Sequence, residues 1–185
     1  MYRVITFIFY VLFIFVSCDS ENHIRTYRLP KPDNKLNIEE SEANHINKFG
    51  IVWEKPNQWK EVAGHSMRLA SFIAPFSSGE GDVSVTTFAG ESGGIGPNVN
   101  RWLGQIGLAN LSDSEIKKMA IIKNGNLGQY SYFKLINSKN TSTAILAAIF
   151  SLNQRTVFVK LSSTFVGINE LEHDFQSFCS SIYQQ

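Results

Sequence analysis

The chain has 185 residues, of which 17 are basic and 16 acidic, so its net charge at pH 7 is +1. This balance argues against a nucleic-acid partner, because nucleic-acid-binding proteins carry a clustered basic surface. The length fits one domain with extensions, and a domain of that size buries enough apolar surface to fold without a metal ion or a disulfide.

The N-terminus has the pattern of an export signal. Arg3 supplies a positive charge, and residues 4–16 (VITFIFYVLFIFV) form an apolar run that is interrupted only by Thr6 and Tyr10. As a helix this run would span about 20 Å. Because the hydrocarbon core of a bilayer is about 30 Å thick, a signal peptide fits better than a membrane span.

A cysteine follows the apolar run directly. The Ser17-Cys18 pair resembles the lipobox of bacterial lipoproteins, in which the cysteine thiol receives a diacylglyceryl group before cleavage; Phe15 stands where that motif usually has Leu. We expect residues 1–18 to be a lipoprotein signal peptide, with lipidated Cys18 as a membrane anchor. The anchored protein would belong to the cell envelope and face the periplasm or the exterior. An ordinary secretory signal and an uncleaved anchor are the alternatives. Lipidation would leave Cys179 as the only thiol, so no internal disulfide is expected.

A polar segment separates this signal from the rest of the chain. Residues 19–48 hold two of the five prolines and show no sustained apolar periodicity. Such a segment cannot bury enough surface to fold alone, which predicts a flexible tether. Random-coil scaling gives it an average reach of about 30 Å. A single domain over residues 49–185 is expected to follow.

The first half of this domain predicts strands and then a helix. Residues 51–53, 67–73 and 83–88 have strand patterns, with alternation in the last two. A glycine-rich loop over residues 90–97 leads into a helix with Pro97 in its first turn and an apolar stripe behind it. A second helical turn begins at Ser112, which forms a capping-box pattern with Glu115.

The second half predicts four strands, the first two joined by a hairpin, and a final helix. Asn124-Gly125 is a hairpin signal between strands at 120–123 and 127–136. Residues 143–152 are continuously apolar, as expected of a central strand covered on both faces, and residues 156–162 form the next strand. The final helix has Asn169 and Glu172 as its predicted capping pair. The order predicts an α+β domain, in which a mainly antiparallel sheet packs against two helices.

Several strings in this domain resemble a family of uncharacterised bacterial exported proteins, and together they cover nearly all of residues 51–183. They are residues 59–62 (WKEV), 67–72 (MRLASF), 90–94 (GESGG), 98–102 (NVNRW) with Gln105, and 157–161 (VFVKL). The strand and helix order is also similar to the PsbP-like fold. That second resemblance implies a binding or assembly factor rather than an enzyme, whereas the first implies no particular activity.

We predict no catalytic residue, no metal site and no cofactor. The four histidines are scattered, and no pair has the spacing of metal ligands. The segment around Ser66 lacks the second glycine of a nucleophile elbow.

One candidate site remains, at the glycine-rich loop. The loop follows a strand and opens a helix, so its backbone N–H groups and the helix dipole would suit an anion, with Arg101 nearby. A structural loop is the alternative, with Asn98 and Asn100 serving only as capping and solvated residues. The candidate recognition or anion-binding residues are Gly93, Gly94, Asn98, Asn100 and Arg101.

These features predict a lipid-anchored, non-catalytic binding or assembly module of the bacterial cell envelope, with a protein partner there. The alternative is a carrier of a small anionic ligand, or a small envelope enzyme, that uses the glycine-rich loop.

Lipidation is tested by partition between a detergent phase and an aqueous phase. The wild-type protein should enter the detergent phase, and Cys18→Ala should move it to the aqueous phase because the acyl chains are lost. Cys179→Ala is the matched control and should still partition into detergent. An unchanged distribution of the Cys18→Ala variant would contradict lipidation.

Overall fold

The computed structural model describes residues 49–64 and 67–185, and the predicted signal peptide, Cys18 and the tether lie outside the described residues. In this part of the chain the strands are β1 (Ile51–Val52), β2 (Lys60–Val62), β3 (Arg68–Phe76), β4 (Gly79–Ala89), β5 (Ile121–Gly125), β6 (Gly128–Ile136), β7 (Ala144–Leu152), β8 (Arg155–Ser163) and β9 (Tyr183–Gln184). The helices are α1 (Ile95–Gln105), α2 (Asp113–Met119) and α3 (Phe165–Ser181). None of these helices is long and apolar enough to cross a membrane.

Seven of the strands form one antiparallel sheet in the order β2-β3-β4-β8-β7-β6-β5, and β1 pairs with β9 separately. The predicted α+β class and antiparallel sheet are confirmed. The described residues hold three helices rather than two, because the turn predicted at Ser112 extends into a short helix. Its capping box is present: the Ser112 side chain accepts from the Glu115 backbone N–H, and the Glu115 carboxylate accepts from the Ser112 backbone N–H.

Helix α3 covers one face of the sheet. Leu171, Phe175 and Phe178 are buried against it, as the predicted apolar stripe requires. Phe178 is the centre of an aromatic cluster, with ring centroids 5.2 Å from Trp59, 5.5 Å from Phe72 and 6.2 Å from Trp53. Such tilted and edge-on contacts add to the free energy gained from burial of the rings alone.

Helices α1 and α2 cover part of the opposite face. Val99, Trp102, Leu103 and Ile106 of α1 and Ile116 of α2 pack on inward residues of β6, β7 and β8. Residues 144–150 of β7 are therefore all buried, which agrees with the prediction of a central strand covered on both faces.

Two local predictions were wrong because tertiary contacts decide the geometry. The hairpin turn lies at Asn126-Leu127, after the Asn-Gly pair, since Gly125 is still a strand residue paired with Gly128. A Cβ at Gly125 would lie 3.0 Å from the Ser180 Cα, so glycine is needed there for the close approach of α3.

Helix α3 starts earlier than predicted. Its N-cap is Thr164, whose hydroxyl accepts from the Gly167 N–H at 3.1 Å, so Asn169 and Glu172 are not its capping pair. Both side chains bind Lys134 of β6 instead, at 2.8 and 2.6 Å.

Truncation of the central aromatic ring tests this packing. Phe178→Ala should lower the free energy of unfolding by about 3–5 kcal/mol, because it opens a cavity among three other rings. Urea denaturation measures the change, and Phe165→Ala is the control because that side chain is 38% exposed. Equal losses in the two variants would contradict the assigned core.

Candidate functional site

One half of the α1/α2 face of the sheet is polar. Lys160 of β8 lies on the same face as Phe158, which packs against Trp102 of α1. Ser84 of β4 pairs with Lys160, and Ser71 of β3 pairs with Ser84, so these side chains share that face. The face is therefore apolar over β6, β7 and the first half of β8, and it carries the polar side chains of Lys160, Ser84 and Ser71 beyond that.

Three cationic side chains meet on this polar half. We call the group formed by Arg68, Asp82, Arg101, Gln105 and Lys160 the basic surface. It contains three positive charges and one carboxylate. Its cations come from three of the segments that resemble exported proteins: residues 67–72, 98–102 and 157–161.

Asp82 is already neutralised by Arg68. The guanidinium donates to both carboxylate oxygens of Asp82, at 3.0 and 3.1 Å, and it also donates to the Ser71 hydroxyl at 3.2 Å. A bidentate pair of this kind fixes the orientation of both groups. The group thus has one carboxylate for three cations.

Lys160 is a partly buried cation of this group. Its Nζ donates to the Gln105 Oε1 at 3.2 Å. Burial lowers the pKa of Lys160; the Asp82 carboxylate opposes this shift, whereas Arg68 and Arg101 lower the pKa further. An ammonium has three N–H donors, so an anionic oxygen here would gain hydrogen bonds and also relieve the repulsion among the cations.

Asn98 links the basic surface to the glycine-rich loop. Its side-chain amide is buried and donates to the carbonyls of Ser92 and Gly94, at 3.0 and 2.7 Å. The Asn98 Oδ1 accepts from the Arg101 guanidinium at 2.9 Å. Asn98 thus fastens the loop and orients Arg101, and its own polar atoms are occupied by these contacts.

Asn100 has a different structural task. Its Nδ2 donates to the Leu111 carbonyl at 3.0 Å, and its Oδ1 accepts from the Leu111 N–H at 2.8 Å. These two hydrogen bonds to the Leu111 backbone hold the segment between α1 and α2. Of the predicted polar patch, Arg101 is therefore the residue that presents an exposed cation.

The glycine-rich loop lines a separate groove. Gly93 and Gly94 have φ values of 80° and 79°, in the left-handed region that favours glycine. The groove has a volume of about 1130 Å³, and its lining includes both glycines but not Arg101. Of the predicted candidate residues, Gly93 and Gly94 therefore line the groove, Arg101 belongs to the basic surface, and Asn98 and Asn100 belong to neither.

The charges of this groove are poorly suited to an anion at the start of α1. Glu91 and Asp113 both line it. A Cβ at Gly96 would collide with the Asp113 carboxylate, so this carboxylate lies against the first turn of the helix. A negative charge already occupies the region where the helix dipole would attract an anion.

Several other titratable groups of the described residues are engaged or buried. Tyr132 and Lys134 both donate to Glu172, each at 2.6 Å. Burial alone would raise the pKa of Glu172, but the bonds from Lys134 and Tyr132 outweigh it and leave that pKa lowered. Burial raises the pKa of the Cys179 thiol. Within residues 49–64 and 67–185, no group of three His, Cys, Asp or Glu side chains could hold a metal ion.

Comparison with known proteins places the chain near two solved structures of low identity. No protein-family model and no curated protein sequence matches it. It is similar to a crystal structure of a protein from Bacteroides thetaiotaomicron VPI-5482, with 13% identity, a TM-score of 0.45 and coverage of 74% of this chain and 45% of that one. The chain thus spans less than half the length of that protein. It is also similar to the solution structure of cyanobacterial PsbP (CyanoP) from Synechocystis sp. PCC 6803, with 12% identity, a TM-score of 0.46 and coverage of 79% and 99%.

Variants of Asn100 and Arg101 distinguish a structural role from a recognition role. Asn100→Ala should lower the free energy of unfolding by about 1–3 kcal/mol, because two backbone groups of Leu111 lose their partners. Arg101→Ala should change it by less than about 0.5 kcal/mol, because the side chain is exposed. Urea denaturation of both variants makes the comparison. An unchanged free energy of unfolding in Asn100→Ala would contradict the structural role, and Asn100 would again be a candidate recognition residue.

Proposed function

We propose that the domain is a non-catalytic binding module of the bacterial cell envelope, and that its basic surface recognises an anionic group on a protein partner. The signal and tether predicted from the sequence support the location, with lipidated Cys18 as the membrane anchor. The arrangement of Lys160, Arg68 and Arg101 around a single neutralised carboxylate supports the recognition of an anion.

The net positive charge is the observation that carries this proposal. Three cations share one carboxylate here. Burial lowers the pKa of Lys160, and Arg68 and Arg101 lower it further although Asp82 opposes them. A carboxylate or phosphate group on a partner would remove the repulsion and accept hydrogen bonds from more than one donor. The same charges would repel a cationic partner, which adds specificity.

Each cation is also held in place before a partner arrives. Arg68 is fixed by Asp82, Arg101 by Asn98 and Lys160 by Gln105. Long basic side chains normally lose rotamer freedom when they bind a partner, and prior fixation reduces this cost. The surface is therefore suited to binding with little rearrangement.

Two hydroxyl groups beside these cations are engaged, one with a cationic donor and one with a backbone acceptor. Ser71 accepts from Arg68, and Ser84 donates to the Lys160 carbonyl at 3.5 Å. A nucleophilic serine needs a base that accepts its proton, and neither of these contacts supplies one. This favours binding over catalysis at the basic surface.

The groove volume favours one alternative, a small-ligand carrier or small enzyme that uses the glycine-rich loop. A groove of about 1130 Å³ is large enough for a small molecule. Glu91 and Asp113 disfavour an anionic ligand in it, which is the ligand class that the alternative requires.

Titration with inorganic phosphate and with succinate tests the basic surface, since both carry the proposed anionic groups. Lys160→Met and Arg101→Gln should each weaken binding about tenfold or more, because each removes a charge-assisted hydrogen bond. Calorimetry at low salt measures the dissociation constants. Lys139→Met, which removes an exposed lysine in the loop after β6, is the matched control. Equal affinities in all variants would contradict the proposal.

The pH dependence gives a second test. A neutral Lys160 no longer attracts an anion, so the affinity should fall as the pH rises through the lowered pKa of Lys160, below the range of an ordinary lysine. Lys160→Arg keeps its charge over this range, and its affinity should stay level. A fall of the same size in Lys160→Arg would show that another group titrates.

A further inference from the structure

Strand β5 is an open edge of the seven-stranded sheet. It lies at the end of the strand order, and among the described residues no strand pairs with its outer side. All five of its residues pair with β6 in regular register, without a bulge. Ile121 and Ile122 are 53% and 59% exposed. Edge strands usually carry prolines, bulges or several charges that prevent pairing with another chain, and β5 has only Lys123.

The groove described above has an apolar part beside this edge, which we call the depression. The register places Ile122 opposite Ser131, and both residues line the groove that was described above, on the α1/α2 face. Ile116, Ala120, Ile149 and Leu152 also belong to its lining. A strand added beside β5 would direct alternate side chains to this face, where the depression would receive an apolar group.

Positive charge lies beside the edge on the α3 face of the sheet. Lys123 is on that face, with its Nζ 5.5 Å from the centre of the Tyr132 ring. On the α1/α2 face the charges are mixed, because Lys117 lines the groove together with Glu91 and Asp113. An acidic side chain is therefore favoured on the α3 face, and an apolar side chain on the groove face.

These charges distinguish between two occupants of the edge. A second copy of the chain, paired through its own β5, would bring like lysines together across the interface, which is unfavourable. An extended segment in which acidic and apolar residues alternate would direct its acidic side chains to Lys123 on the α3 face and its apolar side chains to the groove on the other face. The main-chain groups of such a segment would continue the hydrogen bonding of the sheet.

We propose that the edge of β5 binds an extended acidic and apolar segment of a partner protein as an eighth strand, with one apolar side chain in the groove beside Ile122. This surface is separate from the basic surface, which lies on β3, β4, β8 and α1.

The test uses the full chain and two short fluorescent peptides, one in which valine and glutamate alternate and one in which valine and lysine alternate. The glutamate peptide should bind in fluorescence polarisation, and the lysine peptide should bind about tenfold more weakly or worse. Ile122→Asn should weaken binding of the glutamate peptide about tenfold, because the depression loses its apolar rim. The matched control is Val62→Asn at the opposite edge strand β2, where Val62 is 39% exposed. It should leave the affinity unchanged.

Strand addition has two further signatures. Hydrogen exchange of the amides in residues 121–125 should slow when the peptide binds. Two further peptides carry N-methyl groups on alternate residues, one at the odd positions and one at the even positions. Only one of them should lose binding, because only one set of amides faces β5. Lys160→Met should bind the glutamate peptide as the wild-type protein does, so this proposal and the proposed function can fail separately.

Three results would overturn the proposal. The first is no binding of the glutamate peptide up to about 1 mM, a very weak affinity even for a peptide. The second is equal binding by Ile122→Asn or by both N-methylated peptides. The third is a wild-type dimer in sedimentation that Ile122→Asn dissociates, because the edge would then be occupied by a second copy.

Discussion

The described domain depends on the burial of the central strands β7 and β8 on both faces. Helix α3 packs on one side, and α1 with α2 packs on the other, so that residues 144–150 are buried without exception. Burial on both faces removes about twice the apolar surface that a one-sided strand removes. Both helical layers pack on these strands. The positions of the basic surface and of the β5 edge therefore depend on how far each layer extends from them.

The two layers differ in extent, and this difference creates the basic surface. Helix α3 is 17 residues long and packs along the sheet, whereas α1 and α2 are 11 and 7 residues long and leave β3 and β4 open on their side. Strand residues at alternate positions are then polar where no helix covers them. Arg101 is exposed there, and Arg68 and Lys160 are partly exposed, so their charges keep contact with water although Ser71 and Ser84 beside them are buried.

The same short layer leaves the β5 edge and its groove open at the other end of the sheet. One end thus presents fixed charges and the other presents unpaired backbone beside apolar side chains. These are two different modes of recognition, since charges mainly steer and select a partner, while strand pairing and apolar contacts hold it.

The sequence by itself determined the local elements, because periodicity, capping and length are properties of neighbouring residues. It indicated the doubly covered strand at 143–152, the capping box at Ser112 and the apolar stripe of α3. Only the tertiary structure brought Arg68, Arg101 and Lys160 together, since residues up to 92 positions apart meet there through strand pairing across β3, β4 and β8. It also decided that Asn98 and Asn100 fasten backbone, and that Gly125 serves the approach of α3. These roles depend on distant partners, whose positions no local pattern encodes.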